Sequence, residues 1–325
     1  MFIRDVMTIL YEVTIMNVID LHCDTVLKIY EDNSELKNNT YGVDIEKLKK
    51  SNSLAQFFAL FVELKTTKDP LQKCLNMLDR FYLELNKNID TISLARNYDE
   101  LMKNKSEGKL SAFLTIEEGA VLKGELSNLR NFHRLGVKLI TLTWNFPNEI
   151  GYPNARAEYT NKGLTPFGIR VVEEMNNLNM IIDVSHLSDG GFYDVAKYSK
   201  SPFVASHSNA RAITNHPRNL TDDMIKILAE KGGITGINFF GNFLGGGQFS
   251  KIEDMVSHIQ HIRNIGGIDV ISLGSDFDGI DSTLEIEHIG QIDRLIEGLK
   301  KHHFTDDHIE KILYKNSLRL LKEIG

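Results

Sequence analysis

Eight apolar runs of strand length recur along the chain, and segments with helical spacing separate them. The runs lie at Val18–Leu21, Ala55–Val62, Ala112–Ile116, Leu139–Leu142, Met180–Val184, Phe203–Ala205, Ile234–Phe240 and Val270–Leu273. Between them apolar residues recur every three or four positions, as over residues 71–81. Continuous apolar strands are typical of a parallel sheet that is covered on both faces. Eight such units predict an α/β fold, a (β/α)8 barrel.

A doubly wound open sheet is the alternative to this barrel. That fold needs fewer strands and usually carries a glycine-rich turn after the first one, where this chain has His22-Cys23-Asp24 instead. Pro166 and Thr221 are placed to start helices, at the first turn and as an N-cap. Helices that begin soon after strands again favour the barrel.

No proline-rich or serine-rich linker, repeat or low-complexity tract divides the sequence. We therefore predict a single domain over residues 16–325, with loops or insertions at 30–52 and 145–165. Residues 1–15 are either an extension outside the barrel or an artefact of start-codon choice. Acidic residues interrupt their apolar character and no small-residue cleavage site follows, so we interpret them as an ordinary N-terminus rather than a signal peptide.

Composition narrows the class of partner and compartment. With 42% hydrophobic and 25% charged residues, the 325-residue chain can bury a large core. Its 37 basic and 44 acidic residues give a formal charge of −7, which argues against nucleic acid and anionic membranes as partners. No apolar run approaches the roughly 18 to 20 residues of a membrane span. Two cysteines are too few for a disulfide framework, which favours a reducing, cytoplasmic location.

Polar residues follow several of the predicted strands at the point where each one ends. They are His22 and Asp24 after the first run, Glu117 and Glu118 after the third, His186 after the fifth, His207 after the sixth, and Asp276 and Asp278 after the eighth. Barrels build their active sites at the carboxyl ends of the strands. The sequence therefore predicts that these side chains form one site.

The spacing within two of these groups decides which side chains can share a ligand. His22 and Asp24 are two positions apart, so they project to the same side of a strand and Cys23 faces the other way. An imidazole and a carboxylate placed in this way can bind one cation. Glu117 and Glu118 are adjacent, so at most one of them faces the barrel mouth. We choose Glu118 and interpret Glu117 as a solvated loop carboxylate.

His186 and His207 lie at the ends of successive strands. Two imidazoles that face His22 and Asp24 around a ring favour a metal site over isolated core histidines. Glu118 has two carboxylate oxygens and is predicted to bridge two cations. Three histidines, one aspartate and a bridging glutamate suit two zinc ions or a similar divalent metal.

The other eight histidines are given no metal role. Six of them, including His258, lie on charge-rich helical segments that we expect to be solvated. Asp183 has two open interpretations: it orients a ligand histidine, or it is a carboxylate that merely ends a strand.

Six short motifs follow one another in a characteristic order. They are Asp20-Leu21-His22-Cys23-Asp24-Thr25, Glu118-Gly119, Asp183-Val184-Ser185-His186, Ser206-His207-Ser208-Asn209-Ala210, Pro217-Arg218-Asn219 and Gly274-Ser275-Asp276-Phe277-Asp278-Gly279. Together they resemble the membrane (renal) dipeptidases and their bacterial relatives, a family of metallopeptidases, from about Val18 to Leu313. The resemblance implies a (β/α)8 barrel with two zinc ions that cleaves dipeptides, often with a D-residue at the carboxy-terminal side.

The resemblance also implies roles for individual residues. One zinc would be held by His22 and Asp24, the other by His186 and His207, and Glu118 would bridge them. Arg218 would hold the substrate, since its planar fork suits the terminal carboxylate of a dipeptide. Asp276 would handle protons while a water shared by the two cations attacks the scissile carbonyl as hydroxide.

The chain departs from the animal members of that family in two respects. Trp144 follows Thr141-Leu142-Thr143, where those members have a histidine that contacts substrate, so the substrate range is in question. Asn145 beside it could supply a hydrogen bond to substrate. The chain also lacks a convincing signal and an apolar C-terminal tail, which makes it similar to the bacterial cytoplasmic forms. Those forms often assemble as homodimers, and we expect one here.

Two other functions stay open at this point. A related barrel metallohydrolase would act on a cyclic amide, an N-acyl amino acid or a lactone, with Trp144 reshaping the pocket. A protein that keeps the barrel only to bind a metal or a partner would need neither Arg218 nor Asp276. The presence of both residues therefore counts against a non-catalytic role.

Overall fold

A computed structural model describes residues 16–325 of the chain. Its strands are β1 (Val18–Cys23), β2 (Ser53–Phe61), β3 (Ile92–Leu94), β4 (Leu110–Glu117), β5 (Val137–Thr141), β6 (Ile181–Asp183), β7 (Val204–Ala205), β8 (Ile234–Ile237), β9 (Phe249–Ser250), β10 (Ile271–Leu273) and β11 (Thr283–Leu284). The expected extension at residues 1–15 lies outside the described residues.

Eight parallel strands close into a barrel. Their order around it is β2-β1-β10-β8-β7-β6-β5-β4, and pairing of β4 with β2 closes the ring. Each of these strands overlaps one of the predicted apolar runs, so the predicted (β/α)8 barrel is confirmed. The structure adds β3, which pairs with the first residues of β4, and a separate pair of β9 with β11. These added strands have only two or three residues, too few to form a recognisable apolar run.

Helices follow most of the strands and cover the barrel. They are α1 (Thr25–Glu31), α2 (Ile45–Lys50), α3 (Pro70–Lys87), α4 (Tyr98–Ser106), α5 (Leu126–Arg134), α6 (Pro166–Asn177), α7 (Asp189–Tyr198), α8 (Asp222–Glu230), α9 (Gly241–Leu244), α10 (Ile252–Gly266), α11 (Asp293–Lys301), α12 (Asp306–Glu310) and α13 (Asn316–Ile324). None of the helices within residues 16–325 is long and apolar enough to cross a membrane.

Two predicted helix starts are confirmed by the capping contacts. Pro166 opens α6, and the Thr221 side chain caps α8 by accepting from the backbone N–H of Met224. Residues 30–52, expected to be a loop or an insertion, are not loop throughout. The segment contains α2, whose first turn is capped by the carboxylate of Asp44.

The apolar core has two layers, one on each face of the strands. One buried cluster takes a residue from each of seven barrel strands: Ile19, Phe57, Phe113, Leu139, Ile181, Val204 and Ile234. Their neighbours, such as Phe58 and Leu114, belong to the larger cluster that also contains the helices. This cluster of seven residues fills the inside of the barrel, so polar side chains can gather only at the ends of the strands.

Candidate active site

The predicted site residues meet at the carboxyl end of the barrel. His22 belongs to the end of β1 with Asp24 just after it, Glu117 closes β4, and His186, His207 and Asp276 follow β6, β7 and β10 within three residues. Each of these residues is at most 8% exposed to solvent. Six titratable groups are therefore buried together at one end of the molecule.

A register shift on β1 directs His22 toward this cluster. Asp20 pairs with Gln56 and Cys23 pairs with Phe58, so three steps along β1 match two along β2. The extra residue is a β-bulge, which locally changes the direction in which side chains point. Cys23 packs in the larger apolar cluster, which lies on the outer, helix-covered face of the strands, and His22 faces the barrel mouth.

The structure corrects the choice between the two adjacent glutamates. Oε1 of Glu117 lies 3.0 Å from Nε2 of His186, and its Oε2 lies 3.4 Å from Nε2 of His22. Glu118 turns away and accepts hydrogen bonds from backbone N–H groups, including that of Trp144 at 3.1 Å. Its φ of 105° breaks the strand geometry at this point. The prediction that Glu118 faces the cluster is wrong, and Glu117 occupies that place.

Asp183 orients His207 through the hydroxyl of Ser206. Oδ2 of Asp183 accepts from the hydroxyls of Thr141 and Ser206, each at 2.6 Å. Because the single hydroxyl proton of Ser206 points to this carboxylate, its oxygen accepts from Nδ1–H of His207 at 2.7 Å. Nε2 of His207 then carries a lone pair. Of the two interpretations of Asp183, the structure therefore favours the orientation of a histidine.

His186 is oriented in a similar way by Asn145. Nδ1 of His186 faces the amide oxygen of Asn145 at 3.1 Å and donates to it, which leaves a lone pair on Nε2. The Nε2 atoms of His186 and His207 are 3.0 Å apart, and they lie 3.0 and 3.5 Å from Oε1 of Glu117. Electron-rich atoms at these distances repel one another unless a cation lies between them. The donor set therefore fits a metal ion.

A second group of possible ligands surrounds His22. Its Nε2 lies 3.5 Å from Oδ2 of Asp24 and 3.7 Å from Oδ1 of Asp276. Within residues 16–325, neither ring nitrogen of His22 nor Oδ1 of Asp24 has a hydrogen-bond partner. Buried polar atoms are normally paired, so these orphaned atoms also fit a cation.

The electrostatics separate the carboxylates into two kinds. Burial raises the pKa of Asp24 to about 6 and that of Asp276 to about 8. Burial acts on Glu117 in the same direction, but the neighbouring imidazoles outweigh it and hold the pKa of Glu117 well below its usual range. Burial lowers the pKa of His186 to about 4 and that of His207 well below its usual range. The cluster therefore combines an ionised glutamate with two neutral imidazoles, the forms that bind metals. At the third imidazole, burial acts to lower the pKa, but the neighbouring carboxylates, Glu117 above all, outweigh it and raise the pKa of His22 well above its usual range.

Arg218 is a buried cation beside the cluster. Its guanidinium reaches Oγ of Ser208 at 3.4 Å and the carbonyl oxygen of His207 at 3.3 Å, and the ring of Phe243 lies 5.4 Å from Cζ. Burial lowers the pKa of Arg218 to about 10, which leaves the group charged at neutral pH. No carboxylate oxygen among residues 16–325 lies within 4.0 Å of a guanidinium nitrogen of Arg218. Buried charges are normally paired, so this one is suited to an anion that enters from outside.

A cavity of about 370 Å³ opens above the cluster, at the lower end of the range for small-molecule sites. Asp24, Glu117, His186 and Asp276 line it together with Trp144 and Asn145. Arg218 lies beside Phe243, which lines the cavity, rather than on the cavity surface itself. Asn145, predicted to bind substrate, also contacts His186, and the sequence analysis did not predict that contact.

Asn238 belongs to the site although the sequence analysis missed it. Its Nδ2 donates to Oδ2 of Asp276 at 2.8 Å and so fixes that carboxylate. The apolar run was predicted to extend to Phe240, whereas β8 ends at Ile237. Asn238 is therefore a polar residue directly after a barrel strand, and the rule that found the other site residues would have found it from the correct strand end.

Four of the nine non-glycine residues with positive φ in the described part of the chain lie around the site. The φ angles are 105° at Glu118, 67° at His186, 63° at Asp276 and 72° at Asp278. Residues other than glycine seldom adopt positive φ, and each instance costs about 1–3 kcal/mol. Strain of this kind persists where the surrounding structure enforces it, as is typical of functional sites.

The comparison with protein families agrees with this arrangement. The model of the membrane dipeptidases, peptidase family M19, matches residues 9–325. The chain belongs to the membrane dipeptidase family. Membership in this family of metallo-dipeptidases confirms the resemblance found in the motifs and identifies the protein as a hydrolase of that class.

Two relatives show how far the similarity extends along the chain. An uncharacterized protein in the pqqA 5′ region of Klebsiella pneumoniae is 37% identical over 229 residues, which cover 67% of this chain and 84% of that protein. An uncharacterized dipeptidase of Schizosaccharomyces pombe is 30% identical over 306 residues, 87% of this chain and 72% of its own length.

A solved metallopeptidase of Rhodobacter sphaeroides shares the fold over nearly the whole chain. Its TM-score is 0.89 at 26% identity, and the match covers 95% of this chain and 99% of that one. That structure holds a phosphinate mimic of the dipeptide L-Ala-D-Ala. The barrel of the present chain is thus also the fold of that metallopeptidase.

Proposed function

We propose that this protein hydrolyses dipeptides with two zinc ions bound at the barrel mouth. His22 and Asp24 would hold one ion, His186 and His207 the other, and Glu117 both. The observation that carries the proposal is the convergence of imidazole lone pairs on the carboxylate of Glu117, 3.0 to 3.5 Å away. This set of nitrogen and carboxylate ligands is the one that zinc prefers.

Held by these residues, the two ions would supply Lewis acidity: they would polarise the scissile carbonyl and lower the pKa of a water between them, so that this water could act as the bridging hydroxide. Asp276 moves the proton. Its Oδ2 is held by Asn238, so Oδ1 is the atom that takes a proton from the attacking water and returns it to the leaving amine.

Arg218 accounts for a substrate as short as a dipeptide. Its buried charge has no acidic partner among residues 16–325, and it adjoins the backbone of His207 in the cluster. Because Arg218 contacts the backbone of His207, a terminal carboxylate bound to it would bring the adjoining peptide bond to the cluster, and the scissile carbonyl would belong to the residue next to the carboxy terminus. The Rhodobacter sphaeroides relative binds a mimic of L-Ala-D-Ala. We accordingly expect a D-residue to be accepted at the carboxy-terminal side.

The test combines metal analysis with two substrates. Purified protein is analysed for bound metals, and hydrolysis of L-Ala-L-Ala and L-Ala-D-Ala is measured before chelation, after it and after zinc is restored. We expect two zinc equivalents and cleavage that depends on them, with N-acetylated Ala-Ala and Ala-Ala-Ala as resistant controls. Two metals without cleavage would contradict the dipeptide substrate, and absence of metal binding would contradict the ligand assignment.

The expected homodimer and the cytoplasmic location stay predictions that follow from the family resemblance. Size-exclusion chromatography with light scattering measures the first. Fractionation of the source cells measures the second.

A further inference from the structure

Two aromatic side chains form an apolar surface on one side of the cavity. Phe61 ends β2, Trp144 follows β5, and their rings meet edge to face with centroids 4.9 Å apart. Both residues are partly exposed and line the cavity. We call this pair the aromatic wall. The indole also lies 6.2 Å from the ring of His186, so the wall adjoins the place where the reaction would occur.

The aromatic wall is held in place from behind. The backbone N–H of Trp144 donates to the carboxylate of Glu118, which also accepts from Nδ2 of Asn148 and from the backbone N–H of Ala120. The buried Glu118 therefore fixes the position at which the indole leaves the backbone. A rigid apolar surface can discriminate between substrate side chains without the loss of entropy that ordering a flexible surface would cost.

The buried cation stands across the barrel from Phe61. The guanidinium of Arg218 contacts the backbone of His207 just after β7, whereas Phe61 ends β2. In the closed ring, β2 and β7 are four strands apart in either direction, so they lie opposite each other. A dipeptide whose carboxylate turns toward Arg218 and whose peptide bond lies over the cluster would extend its amino-terminal residue toward Phe61, and Trp144 adjoins that path through its contact with the Phe61 ring.

We infer that the aromatic wall binds the side chain of the amino-terminal residue, so that dipeptides with an apolar or aromatic residue at that position are the preferred substrates. This inference rests on the proposed dipeptidase function. Acidic side chains are disfavoured there because, apart from the proposed metal ligands and Asp276, two carboxylates line the same cavity, Asp278 and Asp281, against one basic residue, Lys28.

The experiment compares dipeptides that differ only at the amino-terminal residue. kcat/KM is measured with the metal-loaded enzyme for Ala-Ala, Leu-Ala, Phe-Ala and Asp-Ala, and for the reversed pair Ala-Leu and Ala-Phe. We expect Leu-Ala and Phe-Ala to exceed Ala-Ala by about tenfold or more, the scale of apolar-pocket discrimination. Asp-Ala should be the poorest substrate, and the reversed pair should show no comparable gain.

Variants then locate the preference. In Trp144→Ala the ratio of Phe-Ala to Ala-Ala should fall to less than about threefold, and Trp144→His should give an intermediate ratio. Phe249→Ala removes a 52% exposed aromatic ring outside the cavity and should keep the wild-type ratio. Because each ratio is taken within one protein, a partial loss of metal or of folded protein does not change it.

The outcomes separate this inference from the function on which it rests. A preference that resides in the carboxy-terminal residue, or that survives unchanged in both Trp144 variants, would overturn the inference and leave a dipeptidase. Failure of the metal-loaded wild type to cleave any of these dipeptides would overturn both.

Discussion

The two sides of the cluster around Glu117 are held in different ways. On one side, Nδ1 of His207 is bonded to Ser206 and Nδ1 of His186 to Asn145. On the other side, neither ring nitrogen of His22 has a hydrogen-bond partner within the described chain. Its ring is placed by the β1 bulge and by packing on the ring of His207, with centroids 4.0 Å apart.

This difference has a consequence for metal binding. A hydrogen bond to the ring nitrogen that does not bind the metal fixes the tautomer and orientation of a ligand histidine and raises its basicity. The side with His186 and His207 is thus preorganised by hydrogen bonds, whereas the side with His22 is placed only by backbone geometry and ring packing. We expect the first side to bind its ion more tightly and the second to lose its ion first during chelation.

Glu117 belongs to both sides, so its replacement should have the largest effect. In Glu117→Gln we expect both metals to be lost and activity to fall by more than the roughly 10–100-fold that follows loss of an outer contact. Glu118→Gln is the matched control, since Glu118 bonds only to protein donors and should keep its metals. Elemental analysis of both variants measures this. Metal loss in Glu118→Gln alone would contradict the placement of the two glutamates.

Gly279→Ala should damage the side with His22 selectively. A Cβ at Gly279 would lie 2.0 Å from Oδ2 of Asp24 and 2.6 Å from Oδ1 of Asp276, so both carboxylates must move. A displacement of about 1 Å at a reacting group can cost roughly 100-fold in rate. We expect one metal equivalent to be lost while the other is kept. Gly247→Ala, where a Cβ meets nothing within 4 Å, is the control and should retain both.

Ser206→Ala should weaken the other side by a smaller amount. Without the hydroxyl, Nδ1 of His207 loses its acceptor and the ring loses its fixed tautomer. Affinity for the tighter metal should drop by about 10-fold or more. Ser272→Ala removes an equally buried hydroxyl, bonded to Ser317 at 2.6 Å, and should change stability without changing metal affinity. Competition with a chelating dye measures both, and equal affinities in the two variants would refute the role of Ser206.

The smallest expected effect is a pH dependence of the folding stability that comes from His258. Nδ1 of the buried His258 accepts from the backbone N–H of Ala210, and its other ring nitrogen donates to the carbonyl of Leu244. Burial lowers the pKa of His258 below 6.5, so the unfolded chain takes up this proton before the folded protein does. The stability is fully present above pH 6.5 and falls toward the folded pKa, by at most about 1.4 kcal/mol per pH unit.

Thermal unfolding of wild type and His258→Gln between about pH 7 and pH 5 measures this contribution. The wild type should lose more stability over this interval than the variant does. Parallel curves for the two proteins would show that His258 does not carry the effect.

The barrel could be predicted because its strands are apolar on both faces, and the same property hid part of the site. On β4, Phe113 belongs to the inner cluster and Leu114 to the outer one, so hydropathy does not show which of two adjacent glutamates points inward. Spacing along β1 related His22 to Asp24 correctly, but the bulge that turns them inward has no signature in the sequence.

Other errors did have a signal in the sequence. His258 was expected to be solvated, yet it is fully buried. It lies on the same face of α10 as Met255 and Ile262, three positions after one and four before the other. A polar residue at a core position of a helix must find partners, and here these are the backbone N–H of Ala210 and the carbonyl of Leu244 at the end of α9, which the sequence does not place nearby.

Trp144 is the chain's one tryptophan, and it lines the cavity beside His186. Its fluorescence therefore reports on the site alone, without background from other indoles. A paramagnetic ion such as Co²⁺ in the cluster should quench the emission, and a side chain resting on the indole should shift it to shorter wavelength. The protein thus carries its own optical probe, with which metal loading and ligand docking can be followed separately in real time.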